Sequence, residues 1–273
     1  MKEIIIGIAL FLCVNIQAQE FISIGNDTIE YELTGHGEPW IVMISGVGGD
    51  LDAFQEVRDF LARETTVLCY SRSGLGQSTY HAGTKTFDST IDELKALLSI
   101  LDAPANIILG AHSYGGLVAR AFATKFPDGV KGIVLVDPTF EDYFKVLSEI
   151  EPNAEEIETG LYFPEEYEAQ QKGRDDDVRS MFEVWKSAER WESWFNVQAH
   201  IPQFVLTSMK TYPNRKLRDS EELMQTRYEP QRRMVVNSKL HLQMAIPDAG
   251  HPVQYEKTGI TYDAFMMMLN ICR

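Results

Sequence analysis

Leu109-Gly110-Ala111-His112-Ser113-Tyr114-Gly115-Gly116 stands between an apolar run, Asn106–Leu109 (NIIL), and a stretch with helical character over 113–126 that ends near Pro127. A short apolar strand, a serine flanked by small residues, and a helix beginning at once describe a sharp strand–turn–helix corner. The small residues have a steric reason. The backbone at Ser113 has to bend tightly, and bulky side chains two positions to either side would collide with the neighbouring strand and helix. Such a turn presents the hydroxyl at the rim of a sheet, where it serves as a nucleophile if a base and an oxyanion site lie beside it. Without them the same residue is a helix N-cap.

Working outward, strands and helices alternate. Phe21–Ile24 and Ile29–Leu33 read as a hairpin, and Trp40–Ser45 (WIVMIS) as a strand stopping at Gly46. A helix follows over about 51–63, then a strand at Thr66–Tyr70 and a helix over 88–101 with apolar residues Ile91, Leu94, Leu97, Leu98 and Leu101. Gly132–Val136 (GIVLV), Gln203–Thr207 and Leu240–Ile246 supply further strands, with helices over 220–237 and 255–269. Strands this apolar, separated by helices, predict an α/β fold: a mostly parallel central sheet with helices on both faces. Residues 139–200 carry no strand signal, and they predict a helical lid inserted after the sixth strand. The expected organisation is a core of 20–138 and 201–273 with the lid at 139–200.

Residues 1–19 read as a secretory signal, with Lys2 ahead of the apolar run Ile4–Val14 and a small residue at Ala18. The run falls short of the roughly 20 residues a spanning helix needs. The expected location is therefore exported, either periplasmic or secreted, with no stable membrane insertion once the signal is removed. With 25 Lys and Arg against 40 Asp and Glu, the net charge is −15. A surface that negative repels phosphate backbones, so nucleic acid is not an expected partner. The three cysteines form no CxxC pair, which argues against a disulfide scaffold and a structural zinc site. Arg174-Asp175-Asp176-Asp177 reads as a solvated face, since its spacing fits no calcium loop.

Five motifs in order give the chain a resemblance to the α/β-hydrolase superfamily over roughly residues 20–270. Ser45-Gly46-Val47-Gly48-Gly49 occupies the oxyanion loop. Arg72-Ser73-Gly74-Leu75-Gly76-Gln77-Ser78 is similar to the family's R-G-x-G-x-S loop. Ala111 to Gly116 is the elbow, with Ala111 where the usual pattern has Gly. Val134-Leu135-Val136-Asp137-Pro138 follows the sixth strand, and Gly250-His251-Pro252-Val253-Gln254-Tyr255-Glu256-Lys257 resembles the catalytic-histidine loop.

The resemblance implies a metal-independent serine hydrolase without a cofactor, acting on a small ester, lactone or related acyl compound. Serine in place of Asp at position 113 argues against epoxide hydrolases and haloalkane dehalogenases. His251 becomes the general base, on a loop at the carboxyl edge of the sheet. The family's usual acid position after the seventh strand is empty here, because Leu206 to Asn214 contains no Asp or Glu. Asp137, after the sixth strand, is the expected acid, and serine, acid and histidine then follow in the fold's order. Its alternative role is a turn cap before Pro138, and Asp219 and Asp248 are the other carboxylates in play. The oxyanion donors would be the backbone N–H groups of Val47 and Tyr114. Gly46-Val47-Gly48-Gly49 could otherwise be a phosphate loop, but no GK[ST] follows. Gly46, Trp185 and Trp191 are expected in the substrate site, with Trp194, Tyr162, Phe163 and Tyr167 as further lid aromatics that either line an acyl pocket or fix the lid to the body. Competing readings are an amidase or peptidase with the same residues, and a non-catalytic binding module in which Ser113 is structural.

Overall fold

The computed structural model describes residues 19–81, 85–150, 171–211 and 221–273. The expected signal segment, apart from Gln19, lies outside them, as do Tyr162, Phe163, Tyr167 and Asp219. Among the described residues eight strands form one sheet: β1 (Glu20–Ile24), β2 (Asp27–Thr34), β3 (Trp40–Ile44), β4 (Val67–Tyr70), β5 (Ile107–His112), β6 (Val130–Val136), β7 (Gln203–Ser208) and β8 (His241–Ile246). Their spatial order is β1-β2-β4-β3-β5-β6-β7-β8. The hairpin β1–β2 and the β2–β4 pair are antiparallel, and every later pairing is parallel.

Helices α1 (Gln55–Leu61), α2 (Phe87–Ile100) and α3 (Gly115–Lys125) occupy the first half of the chain. Between β6 and β7 the described residues form α4 (Tyr143–Ile150), α5 (Gln171–Lys186) and α6 (Trp191–Phe195). The remainder are α7 (Glu221–Val235), α8 (Val253–Glu256) and α9 (Thr258–Cys272). Side chains alternate across each strand, so the sheet feeds two cores. Val42 and Ile44 of β3 join Ile91 and Leu94 of α2 and Leu117 and Val118 of α3 on one face. Ile41 and Met43 join Val57 and Leu61 of α1 and Phe265 and Met268 of α9 on the other. This two-sided burial explains why the parallel strands are apolar throughout rather than alternating.

The expected elements correspond to observed ones with ends moved by a few residues. Two predicted helices are each divided: 51–63 into a 3-10 turn (Leu51–Phe54) and α1, and the C-terminal one into α8 and α9. No helix of the described residues is long and apolar enough to cross a membrane.

Candidate active site

Parallel register brings the site together. His112 of β5 pairs with Val136 of β6, and Val136 pairs with Leu206 of β7. The residues that follow, Ser113 and Asp137, therefore leave adjacent strands at the same carboxyl edge. Both adopt positive φ, 53° at Ser113 and 41° at Asp137, a costly conformation for a non-glycine residue and one that clusters where geometry matters. Hydrogen bonds hold it. Ser113 N donates to Val136 O at 3.2 Å, Thr139 N donates to Ser113 O at 3.0 Å, and Asp137 N donates to Leu206 O at 2.7 Å. The tight approach of α3 to β3 explains one glycine: a Cβ on Gly115 would lie 2.4 Å from the Ile44 carbonyl oxygen.

His251 reaches this edge from the loop after β8. Its Nδ1 lies 2.6 Å from Asp137 Oδ2 and its Nε2 lies 3.0 Å from Ser113 Oγ. With Nδ1–H donating to the carboxylate, Nε2 is left to accept the serine proton. His112, next to the serine, turns away from the hydroxyl. Its Nε2 pairs with the His251 carbonyl oxygen at 3.0 Å and its ring stacks 4.6 Å from the His251 ring. It thus props the loop that carries His251.

Asp137 is fully buried. Besides His251 it accepts from Ser208 Oγ (2.7 Å), Ser208 N (3.3 Å), Arg227 Nη1 (2.5 Å) and Gln231 Nε2 (3.0 Å). Burial opposes its charge, but the Arg227 guanidinium and the hydrogen bonds from His251 and Gln231 outweigh burial and hold the carboxyl well below the usual carboxylate range. Asp248, by contrast, is exposed and pairs with Lys257.

Tyr114 follows the serine in the chain and Val47 follows Gly46, and among the described residues neither backbone N–H has a protein acceptor. Gly46 lies against the same corner, since a Cβ there would come 3.1 Å from both His112 Nδ1 and Ser113 Cβ. Ser113 is 5% exposed. The pocket beside it, of about 10 Å³, is lined by Asp137, Pro138, Thr139, Phe140, Tyr143, Arg227 and His251, and holds roughly one water.

The expected tryptophans are not in that lining. Trp191 donates from Nε1 to Val184 O at 2.7 Å, and Trp185 packs on Phe182. Trp191 thus ties α6 to α5, Trp185 packs within α5, and both lie against the hydrophobic core. The expected solvated acidic face is also corrected: Asp176 and Asp177 are buried, Asp177 paired with Arg72 inside the molecule and Asp176 with Arg179. Among the described residues no cluster of His, Cys, Asp or Glu is arranged to hold a metal ion. Sequence reasoning missed Arg227 and Gln231. Their i, i+4 spacing puts both on one face of α7, a signal that was present but had no visible partner.

The family model for the alpha/beta hydrolase fold matches residues 39–170, and with the strand order above the chain has the α/β-hydrolase fold. Among curated proteins, the human (lyso)-N-acylphosphatidylethanolamine lipase is 31% identical over 102 residues, 36% of this chain and 30% of that one. The chain thus spans less than half the length of the curated relatives it matches first. Among solved structures, a thermophilic esterase from Thermogutta terrifontis superimposes with a TM-score of 0.65 at 21% identity, covering 94% of this chain and all of that one. The enol-lactonase of Burkholderia xenovorans LB400 gives 0.60 at 16%, covering 92% of this chain and 100% of the other. At these identities the two structures share the fold.

Proposed function

We propose that this protein is a serine hydrolase that cleaves a small ester, lactone or related acyl compound through an acyl-enzyme. Ser113 is the nucleophile, His251 the general base, and Asp137 the carboxylate that orients the imidazole. The observation that carries the reading is the unbroken relay from Ser113 Oγ through His251 (3.0 Å) to Asp137 (2.6 Å), with the open N–H groups of Val47 and Tyr114 beside it. The lipase, esterase and lactonase among its relatives point toward acyl esters.

In this mechanism Ser113 Oγ attacks the acyl carbon while its proton passes to His251 Nε2. The Val47 and Tyr114 N–H groups receive the oxyanion of the tetrahedral intermediate. Collapse breaks the bond to the leaving alcohol, which takes the proton from His251. Water, deprotonated by the same imidazole, then attacks the acyl-enzyme and releases the acid. These steps use no metal or cofactor. Residues 139–200, which contribute Thr139, Phe140 and Tyr143 to the pocket, would cover the serine and part to admit substrate. Export to the periplasm or beyond belongs to the same proposal and rests on residues 1–19.

A variant panel on p-nitrophenyl acetate tests the reading. Ser113→Ala and His251→Gln should each lower kcat by about 10⁶, and Asp137→Asn by about 10⁴. Asp248→Asn should stay within about twofold of wild type, as a surface change away from the site does. Turnover that survives Ser113→Ala would overturn Ser113 as the nucleophile, and no turnover by wild type on esters, lactones and amides alike would favour a binding module on this fold.

A further inference from the structure

The loop that offers the Val47 N–H is held by a buried ion pair that the proposed steps leave unused. Arg72, on the loop after β4, and Asp177, in α5, are each about 1% exposed at the side chain. The guanidinium donates to the carboxylate as a fork, Nη2 to Oδ2 at 2.5 Å and Nε to Oδ1 at 3.2 Å. Its remaining hydrogen bonds go to the glycine loop: Nη1 to Ser45 O at 2.8 Å and to Ser45 Oγ at 3.1 Å, and Nη2 to Gly46 O at 2.6 Å.

The last of these bears on catalysis. Gly46 C=O and Val47 N–H belong to one planar trans peptide, so they point in opposite directions and rotate together. Fixing the carbonyl on Arg72 fixes where the N–H points. A charge-assisted bond to that carbonyl also polarises the amide and strengthens it as a donor. On the other side of Val47, Gly48 N donates to Asp177 Oδ2 at 3.1 Å. The Arg72–Asp177 unit therefore grips the peptides before and after Val47. The same guanidinium lies 5.3 Å from the ring centre of Tyr114, the residue that supplies the second donor.

A buried ion pair is poor evidence for stability, since apolar residues of similar volume often serve as well. A need for fixed geometry explains this one better. We propose that Arg72 and Asp177 are a positioning pair for the oxyanion site, aiming the Val47 N–H at the serine and making that aim conditional on α5 staying docked against the glycine loop. The inference rests on the serine-hydrolase reading.

The test is steady-state hydrolysis of p-nitrophenyl acetate by wild type, Asp177→Asn and the double variant R72M/D177L, with thermal unfolding of each. An oxyanion contact acts only in the transition state, so kcat should fall while KM holds. The double variant should unfold within a few degrees of wild type, yet lose about 10²-fold in kcat with KM within about threefold. Asp177→Asn, which preserves volume, should lose about 10-fold, a fraction of that full effect. If either variant folds like wild type and keeps wild-type kcat, the pair is structural only and the inference is overturned. If wild type itself fails to turn over this ester and lactones and amides alike, the hydrolase reading fails, and the positioning role falls with it.

Discussion

At the scale of single residues, the chemistry depends on a carboxylate that stays charged. Asp137 is buried, but Arg227, His251 and Gln231 favour its ionised form and hold it well below the usual carboxylate range. For a group depressed in this way, its contribution to stability is fully present above the ordinary carboxylate value of about 4 and is lost as pH falls through the lower folded value. Asp137 is thus ionised throughout the range in which a histidine titrates, and the proposed mechanism leaves the acid limb of activity to His251 alone. A profile of kcat/KM against pH should rise through a single ionisation, the loss of one proton from the imidazole. Two protons on the acid limb, or a flat limb, would contradict the assignment. Ser113, Asp137 and His251 were legible in the sequence because each sits in a local motif beside a strand end. Arg227, Gln231 and Ser208 were not. Their roles exist only once α7 and β7 are brought onto Asp137, and nothing adjacent in the chain marks them.

At the scale of elements, the corner at Ser113 works because α3 is pressed onto β3. Gly115 has no room for a side chain, with a would-be Cβ 2.4 Å from the Ile44 carbonyl oxygen. Gly115→Ala should force the two apart and cost about 1–3 kcal/mol, as overpacking does. Chemical denaturation reads the loss directly, and an unchanged midpoint would show that the corner is loose. The strands were readable as apolar runs because parallel strands covered on both faces show little alternation. The inserted helices were less so. Their charges suggested solvent, but Asp177 turns inward to Arg72 over 105 positions of sequence, a pairing that no local pattern signals. Their tryptophans suggested a binding pocket, but Trp191 and Trp194 spend their N–H groups on Val184 O and Asp88 Oδ1. An indole looks the same in sequence whether it meets a ligand or a neighbouring helix.

At the scale of the whole molecule, the sheet order delivers three side chains from far-apart segments to one edge, and the segment that follows β6 adds Phe140 and Tyr143 beside them. In the proposed mechanism the small space at Ser113 calls for a neighbouring segment to shift as substrate enters, as gating segments do in many enzymes. Treating the intact protein with a fluorophosphonate, digesting it with trypsin and locating the adduct tests the central claim most directly. A single covalent adduct on Ser113, in the peptide from Ala96 to Arg120, and its loss in His251→Gln, are the expected result. A folded protein that takes up no phosphonate, or takes it up on another residue, would contradict the account.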